Sequence, residues 1–197
     1  MENSYQTPDK KSIKQKSFGE EYERNKSKSY IAGETELKGY SMELIYKKAT
    51  IDDIDILTES RIKVLRAANK LSEDVDMTEV EKESYVYYSK ALRDGSHTAY
   101  LVFDGKELIG AGGVSYYRVM PTYHNPSGNK AYIMNMFTDP NYRRKGIAFR
   151  TLDLLVKDAK SRGIDAISLE ATDMGRPLYE KYGFVKMNDE MELPKKT

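Results

Sequence analysis

Thr138-Asp139-Pro140-Asn141-Tyr142-Arg143-Arg144-Lys145-Gly146-Ile147-Ala148-Phe149-Arg150 decides how this chain is read. Asp139-Pro140 ends the strand before it, because proline has no N–H for a ladder and restricts the residue it follows. Arg143, Arg144 and Lys145 place three positive charges in the next turn. Gly146 and Ala148 leave the start of the following element nearly bare of side chain. A strand, a basic turn and a small-residue helix start together suit a phosphate. The free N–H groups of a first helical turn point at such an anion, and the positive end of the helix dipole favours it. The same run also suits a plain solvated turn, and the local pattern leaves both readings open.

Outward from this turn, helical and strand periods alternate. Ala131 to Phe137 reads as a strand. Ala148, Leu152, Leu155 and Ala159 recur at helical spacing, predicting a helix to about Arg162 that stops before Gly163 as its C′ residue. Ile167 and Leu169 alternate with Ser168 and Glu170, predicting a strand over Ile164 to Ala171. A short helix from about Gly175 to Tyr182 and a final strand or strand pair over Phe184 to Leu193 close the domain.

Upstream, Leu44 to Lys48 reads as a first strand. Thr50 and Asp53 form a capping signature for a helix to about Lys70, with Ile54, Leu57, Val64, Leu65 and Ala68 inward. Ser72 to Glu83 is strongly acidic. A second helix spans about Thr78 to Arg93, with Val80, Tyr85, Tyr88 and Leu92 inward. His97 to Phe103 and Glu107 to Arg118 are strands joined by Asp104-Gly105, a hairpin signal. Gly110, Gly112 and Gly113 mark a bulge or a close approach of other backbone. The loop Val119 to Asn129 carries His124. The hairpin requires antiparallel pairing, and the crossover helix between the strands at Ala131 and Ile164 requires a parallel pair. A mixed α/β sheet with helices on both faces is expected.

The 197 residues suit one domain with length to spare. A formal net charge of +1 makes no global case for nucleic acid or a membrane surface. The absence of cysteine rules out disulfides, thiolate metal sites and a cysteine nucleophile. The two histidines lack ligand spacing, so no metal is implied. No apolar run is long enough to span a bilayer and no signal-peptide core is visible, which agrees with a cytoplasmic location. Mean hydropathy is low at −0.70, and residues 1–41 hold the polar excess. Ile13, Phe18, Ile31 and Leu37 are scattered there without period, which predicts a flexible extension before a domain over 42–197. An arm that packs on the domain or on a partner is the other reading.

Arg143-x-x-Gly146-x-Ala148 resembles the acetyl-CoA signature of the GNAT superfamily of N-acetyltransferases, and Asp139 to Arg143 resembles its usual lead-in. Downstream, Leu178-Tyr179-Glu180-Lys181-Tyr182-Gly183-Phe184 is similar to the family's second signature. The resemblance extends over roughly Leu44 to Leu193. It implies a central sheet of six or seven strands, with two parallel strands splayed so that pantetheine lies between them. It implies acetyl-CoA as co-substrate, held by Met136, Phe137, Thr138, Arg143, Arg144, Lys145, Gly146, Ile147, Ala148 and Tyr179. It implies an amine acceptor on a small molecule or a peptide N-terminus, and it allows a homodimer.

Acetyl transfer to an amine sets three tasks. A proton must leave an ammonium whose solution pKa is about 10. An oxyanion must be stabilised. A thiolate must depart. On the resemblance, Tyr179 protonates the thiolate, with Tyr182 as the fallback, and the backbone N–H of Met136 or Phe137 meets the oxyanion. The base is not on the strand where many relatives carry a carboxylate, because Met134 and Asn135 stand there. Glu170 is the catalytic candidate, since burial in an apolar strand would raise its pKa. His124, a carboxylate of the acidic segment and a water-mediated base are alternatives. Asp173 suits a helix cap or a hydrogen bond to pantetheine. The acidic segment suggests a cationic acceptor. A non-catalytic acyl-CoA-binding module is the alternative function, because the usual base is missing.

Overall fold

Asp104-Gly105 folds the chain back as its composition predicts. Gly105 has φ +58°, and β2 (His97–Asp104) pairs antiparallel with β3 (Glu107–Arg118), with Asp104 opposite Glu107. The structure is a computed structural model that describes residues 44–188 and 190–193. The extension expected over residues 1–41 lies outside the described residues. With β1 (Leu44–Lys48), β4 (Asn129–Thr138) and β5 (Ile167–Leu169), the strands form one sheet in the order β1-β2-β3-β4-β5. The first three junctions are antiparallel and the β4–β5 junction is parallel.

Thr50 caps the first helix as its spacing predicts. Its backbone N–H donates to the Asp53 carboxylate at 2.9 Å, and a 3-10 turn (Ile51–Asp53) leads into α1 (Ile54–Asn69). α2 (Thr78–Asp94) ends at Gly95, in the left-handed region. These two helices cover one face of the sheet, where Ile54, Leu57 and Tyr88 pack on Ala99, Leu101 and Ala111. α3 (Ile147–Ser161) crosses over the other face. Its Leu152, Leu155, Val156 and Ala159 pack on Val114, Ala131 and Ile133. The Ile164 N–H donates to the Ala159 carbonyl at 3.1 Å and the Gly163 N–H to that of Lys160 at 2.9 Å. That pair of bonds stops α3 at the expected place. α4 (Arg176–Tyr182) adds Tyr179 to the α3 core.

One carboxylate ties α3 to three strands. Asp158 accepts from Tyr116 Oη at 2.6 Å, from Thr98 Oγ1 at 3.0 Å and from Arg162 Nε at 3.0 Å, and it pairs with Lys48 just before α1. Its side chain is only 10% exposed. Burial alone would raise its pKa, but hydrogen bonds from Lys48, Tyr116 and Thr98 outweigh that and carry it down to about 2.

Several expectations are corrected. The sheet has five strands among the described residues, not six or seven. Val185, Met187, Met191 and Leu193 alternate like a strand, yet the segment pairs with nothing there and all four side chains are exposed. A strand needs a partner edge of useful length, and β5 offers three residues rather than the expected Ile164 to Ala171. Val80, Tyr85 and Ala68 face outward, because α1 and α2 cover each other and the sheet along a narrower stripe than the spacing suggests.

Candidate active site

The candidate site begins where β4 loses its neighbour. Pairing between β4 and β5 stops at Ile133 opposite Leu169, although β4 continues to Thr138. Just beyond that point the β3–β4 register slips between Ala111 and Gly113. Asn135 has φ +55° there, a left-handed conformation that asparagine tolerates better than most residues. This bulge splays β4 from β5 and leaves Met134 to Thr138 with no partner strand on that side among the described residues. Two side-chain atoms beside this edge, Asn135 Oδ1 and Thr138 Oγ1, are buried without a hydrogen-bond partner. An extended chain carrying amides, such as pantetheine, would add to such an edge as a strand does.

At the end of β4 the backbone turns sharply toward α3. The Asp139 carboxylate accepts from the Asn141 N–H at 2.8 Å, and the Tyr142 hydroxyl donates to Asp104 at 2.9 Å. Arg143 Nε reaches the Thr138 carbonyl at 3.4 Å. Arg144 at φ +63° and Gly146 at φ +80° then carry the chain through two left-handed positions into α3. A side chain placed on Gly146 would meet nothing within 4 Å, so open space lies over the helix start. Arg143, Arg144 and Lys145 are exposed around that space, with Lys145 Nζ 4.9 Å from the centre of the Tyr142 ring. Ile147 is buried against Val102 and Ile109, so it anchors α3 and offers a ligand only its backbone. Ala148 is half-buried. Only a 3-10 turn (Pro140–Tyr142) separates the free edge of β4 from the basic turn; the basic turn suits a phosphate and the edge an amide chain.

Tyr179 is buried on α4, with its ring edge-on to Phe184 at 6.2 Å between centroids. Burial raises its pKa, so the phenol stays protonated at neutral pH. Tyr182 instead donates to Asp153 of α3 at 3.1 Å, a bond that holds the two helices together. Thr172 Oγ1 accepts the Gly175 N–H at 3.2 Å, whereas Asp173 pairs with Arg176 at 3.6 Å. Thr172 thus supports the turn before α4 where Asp173 was expected to cap.

Glu170 lies just past the end of β5 and is exposed, so the argument from burial does not apply to it. It faces Tyr132, whose phenol is pushed up to about 12 by burial first and then by Glu170. His124 is exposed beside Tyr123. The acidic segment divides: Glu79 and Glu83 line one cleft, whereas Glu73 and Glu81 line another. Asp76 is drawn into a local turn by Thr78.

The cleft beside Glu79 and Glu83 holds a group that sequence reasoning missed. About 560 Å³ in volume, it lies between α1, α2 and the end of β3, and its lining includes Arg61, Tyr87, Ser115 and Met134. Tyr87 Oη lies 2.5 Å from Ser115 Oγ and 3.1 Å from His97 Nδ1. Ser115 Oγ is 3.2 Å from the same nitrogen and 3.7 Å from Met134 Sδ, one residue from the bulge. His97 is 4% exposed, and its Nε2 has no partner. Burial and then Arg61 push it down to about 4, so the imidazole is neutral at physiological pH. In sequence, His97 was only the first residue of a strand. Its hydrogen bonds come from the end of β3 and from a helix residue ten positions upstream that the helical stripe assigned to no face.

No helix among the described residues is long and apolar enough to cross a membrane, and none of their side chains cluster as three or more metal-ligating groups. Residues 65–184 match the acetyltransferase (GNAT) family. An uncharacterized N-acetyltransferase, YsnE, of Bacillus subtilis (strain 168) is 32% identical over 98 residues, covering 47% of this chain and 59% of the relative. The chain therefore spans less than two thirds of that curated relative. A predicted acetyltransferase of Clostridium acetobutylicum, solved with acetyl-CoA, is 34% identical with a TM-score of 0.71, covering 77% of this chain and 96% of that one. A GCN5-related N-acetyltransferase of Ralstonia eutropha JMP134 shares the fold at 24% identity and a TM-score of 0.67, covering 77% of this chain and 98% of that one. With the family match spanning more than half of the sequence and both of its signature regions, the chain belongs to the GNAT family of acetyltransferases.

Proposed function

We propose that this domain transfers the acetyl group of acetyl-CoA to the primary amine of a small molecule or of a peptide N-terminus. The observation that carries the reading is the open, bulged edge of β4, followed after one 3-10 turn by the basic turn at the start of α3. The pyrophosphate would meet the amides of Arg144 to Ala148, with Arg143, Arg144 and Lys145 around it. Pantetheine would lie along Met134 to Thr138. The backbone N–H of Met136 or Phe137 would meet the oxyanion, and Tyr179, protonated and buried, would supply the departing thiolate with a proton.

Glu79 and Glu83 in the lining of the neighbouring cleft favour a cationic acceptor, and the tyrosines that line it with them favour one with an apolar portion. Met134 and Asn135, in place of a carboxylate, support the second reading, an acyl-CoA-binding module without turnover. Calorimetric titration with acetyl-CoA and with CoA, wild type beside Gly146→Glu, tests the cofactor site. A panel of amines with detection of free thiol then separates the two readings. Micromolar binding that Gly146→Glu abolishes, together with amine-dependent thiol release, is the expected result. Absence of binding by the wild type would overturn both.

A further inference from the structure

A reaction of this kind needs a proton acceptor; Glu79 and Glu83 of the acidic segment line the cleft beside Tyr87, and β4 itself supplies no carboxylate. Glu170 is exposed past the end of β5, and β4 carries Met134 and Asn135 at the bulge. The hydrogen-bonded group of Tyr87, Ser115 and His97 stands at the same cleft as the two glutamates.

We propose that Tyr87 takes the proton from the acceptor amine and passes its own to His97, with Ser115 holding the phenol in line. The inference rests on the acetyltransferase reading above and names the base that reading lacks. Three observations carry it. The first is geometry: Tyr87 Oη reaches both Ser115 Oγ and His97 Nδ1, and Tyr87 and Ser115 both line the cleft. The second is position, because Ser115 Oγ contacts Met134, which adjoins the bulge where β4 opens. The third is an imperfectly satisfied core. His97 is 4% exposed with Nε2 unpartnered, a burden that an apolar residue of similar shape would not carry. Gly113 makes room for it, since a Cβ there would stand 2.7 Å from Nε2.

The acceptor loses its ammonium proton to water before it reacts; the free amine then attacks the thioester carbonyl carbon, the C–N bond forms and the C–S bond breaks. The nitrogen becomes acidic only as the C–N bond forms, so a weakly basic imidazole can take its surplus proton at that moment. That proton moves to Tyr87 Oη while the phenolic proton moves to His97 Nδ1. The thiolate receives a proton from Tyr179. The imidazolium then returns its proton through Tyr87 Oη to water in the cleft and Tyr179 regains one from water, which restores the starting states.

The charged and titratable groups around the relay are Arg61 of α1, Glu79, Glu83 and Tyr88 of α2, and Asp94 at the end of α2. Burial raises the Tyr87 phenol and lowers the His97 imidazole. Tyr87 therefore hands on a proton without becoming a resting phenolate, and His97 stays empty between turnovers. Tyr87 is the catalytic group here, and His97 and Ser115 are positioning residues that act through it.

The test measures thiol release from acetyl-CoA with butylamine between pH 6 and 10, for wild type, Tyr87→Phe, His97→Asn and Ser115→Ala. Tyr87→Phe keeps the ring packing, and His97→Asn keeps a hydrogen-bonding atom near the place of Nδ1 without an imidazole. Both should lower kcat/KM for butylamine roughly 10²-fold at neutral pH, with acetyl-CoA affinity unchanged. The deficit should shrink toward pH 10, where hydroxide replaces the relay. The double variant should lose little more than the worse single one, as for residues acting as a unit. Ser115→Ala leaves the imidazole in place and should show a smaller loss of the same pH form, which preserves the test if His97→Asn does not fold. Folded variants that bind acetyl-CoA and keep the wild-type rate and pH profile would overturn the relay. So would a wild type that binds acetyl-CoA yet releases no thiol under any of these conditions. A wild type that does not bind acetyl-CoA would overturn the acetyltransferase reading itself.

Discussion

Gly112 stands against Met136 where β4 bulges: a Cβ on Gly112 would lie 2.7 Å from Met136 Sδ and 2.8 Å from Thr151 Cγ2. Met136 and α3 therefore pack into space that a side chain on β3 would fill. Gly112→Ala should push Met136 or α3 away, costing about 1–3 kcal/mol as overpacked cores do. Thermal melts should show a lower Tm, and calorimetry should show weaker acetyl-CoA binding, because Met136 adjoins the edge along which pantetheine is placed.

Gly146 separates shape from charge. A side chain there meets nothing, but φ is +80°. Gly146→Ala should cost about 1 kcal/mol of backbone strain and leave acetyl-CoA binding largely intact. Gly146→Glu adds a carboxylate over the helix start, where a phosphate would sit, and should abolish binding. Equal losses in the two variants would mean that the turn does not hold a phosphate.

Tyr179→Phe retains the buried ring and its contact with Phe184 while removing the hydroxyl. Turnover should fall roughly 10²–10⁴-fold with acetyl-CoA affinity kept, the signature of lost proton transfer. Unchanged turnover would leave Tyr179 with a packing role only.

Asp158 predicts an acid limit. Its folded pKa of about 2 lies below the value near ~3.9 of an unfolded aspartate. A depressed folded pKa means that its contribution is complete above pH ~4 and is lost as the pH falls toward ~2. Asp158→Asn should cost roughly 1–2 kcal/mol at neutral pH, less than the shift alone suggests because Lys48 and Arg162 stand partly in water. Urea melts of wild type and variant should converge between pH ~4 and pH ~2. A gap that stays constant over that range would mean the contacts around Asp158 act through shape and not through charge.

Much of the fold could be read directly, because the signals are local. The Thr50–Asp53 cap, the Asp104-Gly105 hairpin and the stripe from Leu152 to Ala159 each depend on residues a few positions apart. The basic turn was legible for the same reason. The final strand was misread because alternation over Val185 to Leu193 says nothing about whether a partner edge exists. The glycines of β3 point to a bulge or a close approach, and the β3–β4 register does slip between Ala111 and Gly113; that Asn135 would be the left-handed residue was not legible, because such an asparagine leaves only a weak trace in sequence. Tyr87, Ser115 and His97 come from α2, β3 and β2, and only the folded sheet brings them together. A buried histidine opening a strand that runs on into Thr98 and Ala99 was the one available hint.

The short β4–β5 seam also bears on how the molecule folds. β2, β3 and β4 succeed one another in both sequence and sheet, a meander that can zip up through nearby contacts. β5 joins only after α3 has crossed over, and three residue pairs hold it. This makes the seam the place where the sheet frays most readily, and amide exchange should be fast in β5 while β2 and β3 stay protected. A ligand inserted along β4 would bind the closed seam and not the frayed one, so its affinity and the slowing of exchange in β5 are two readings of one linked equilibrium.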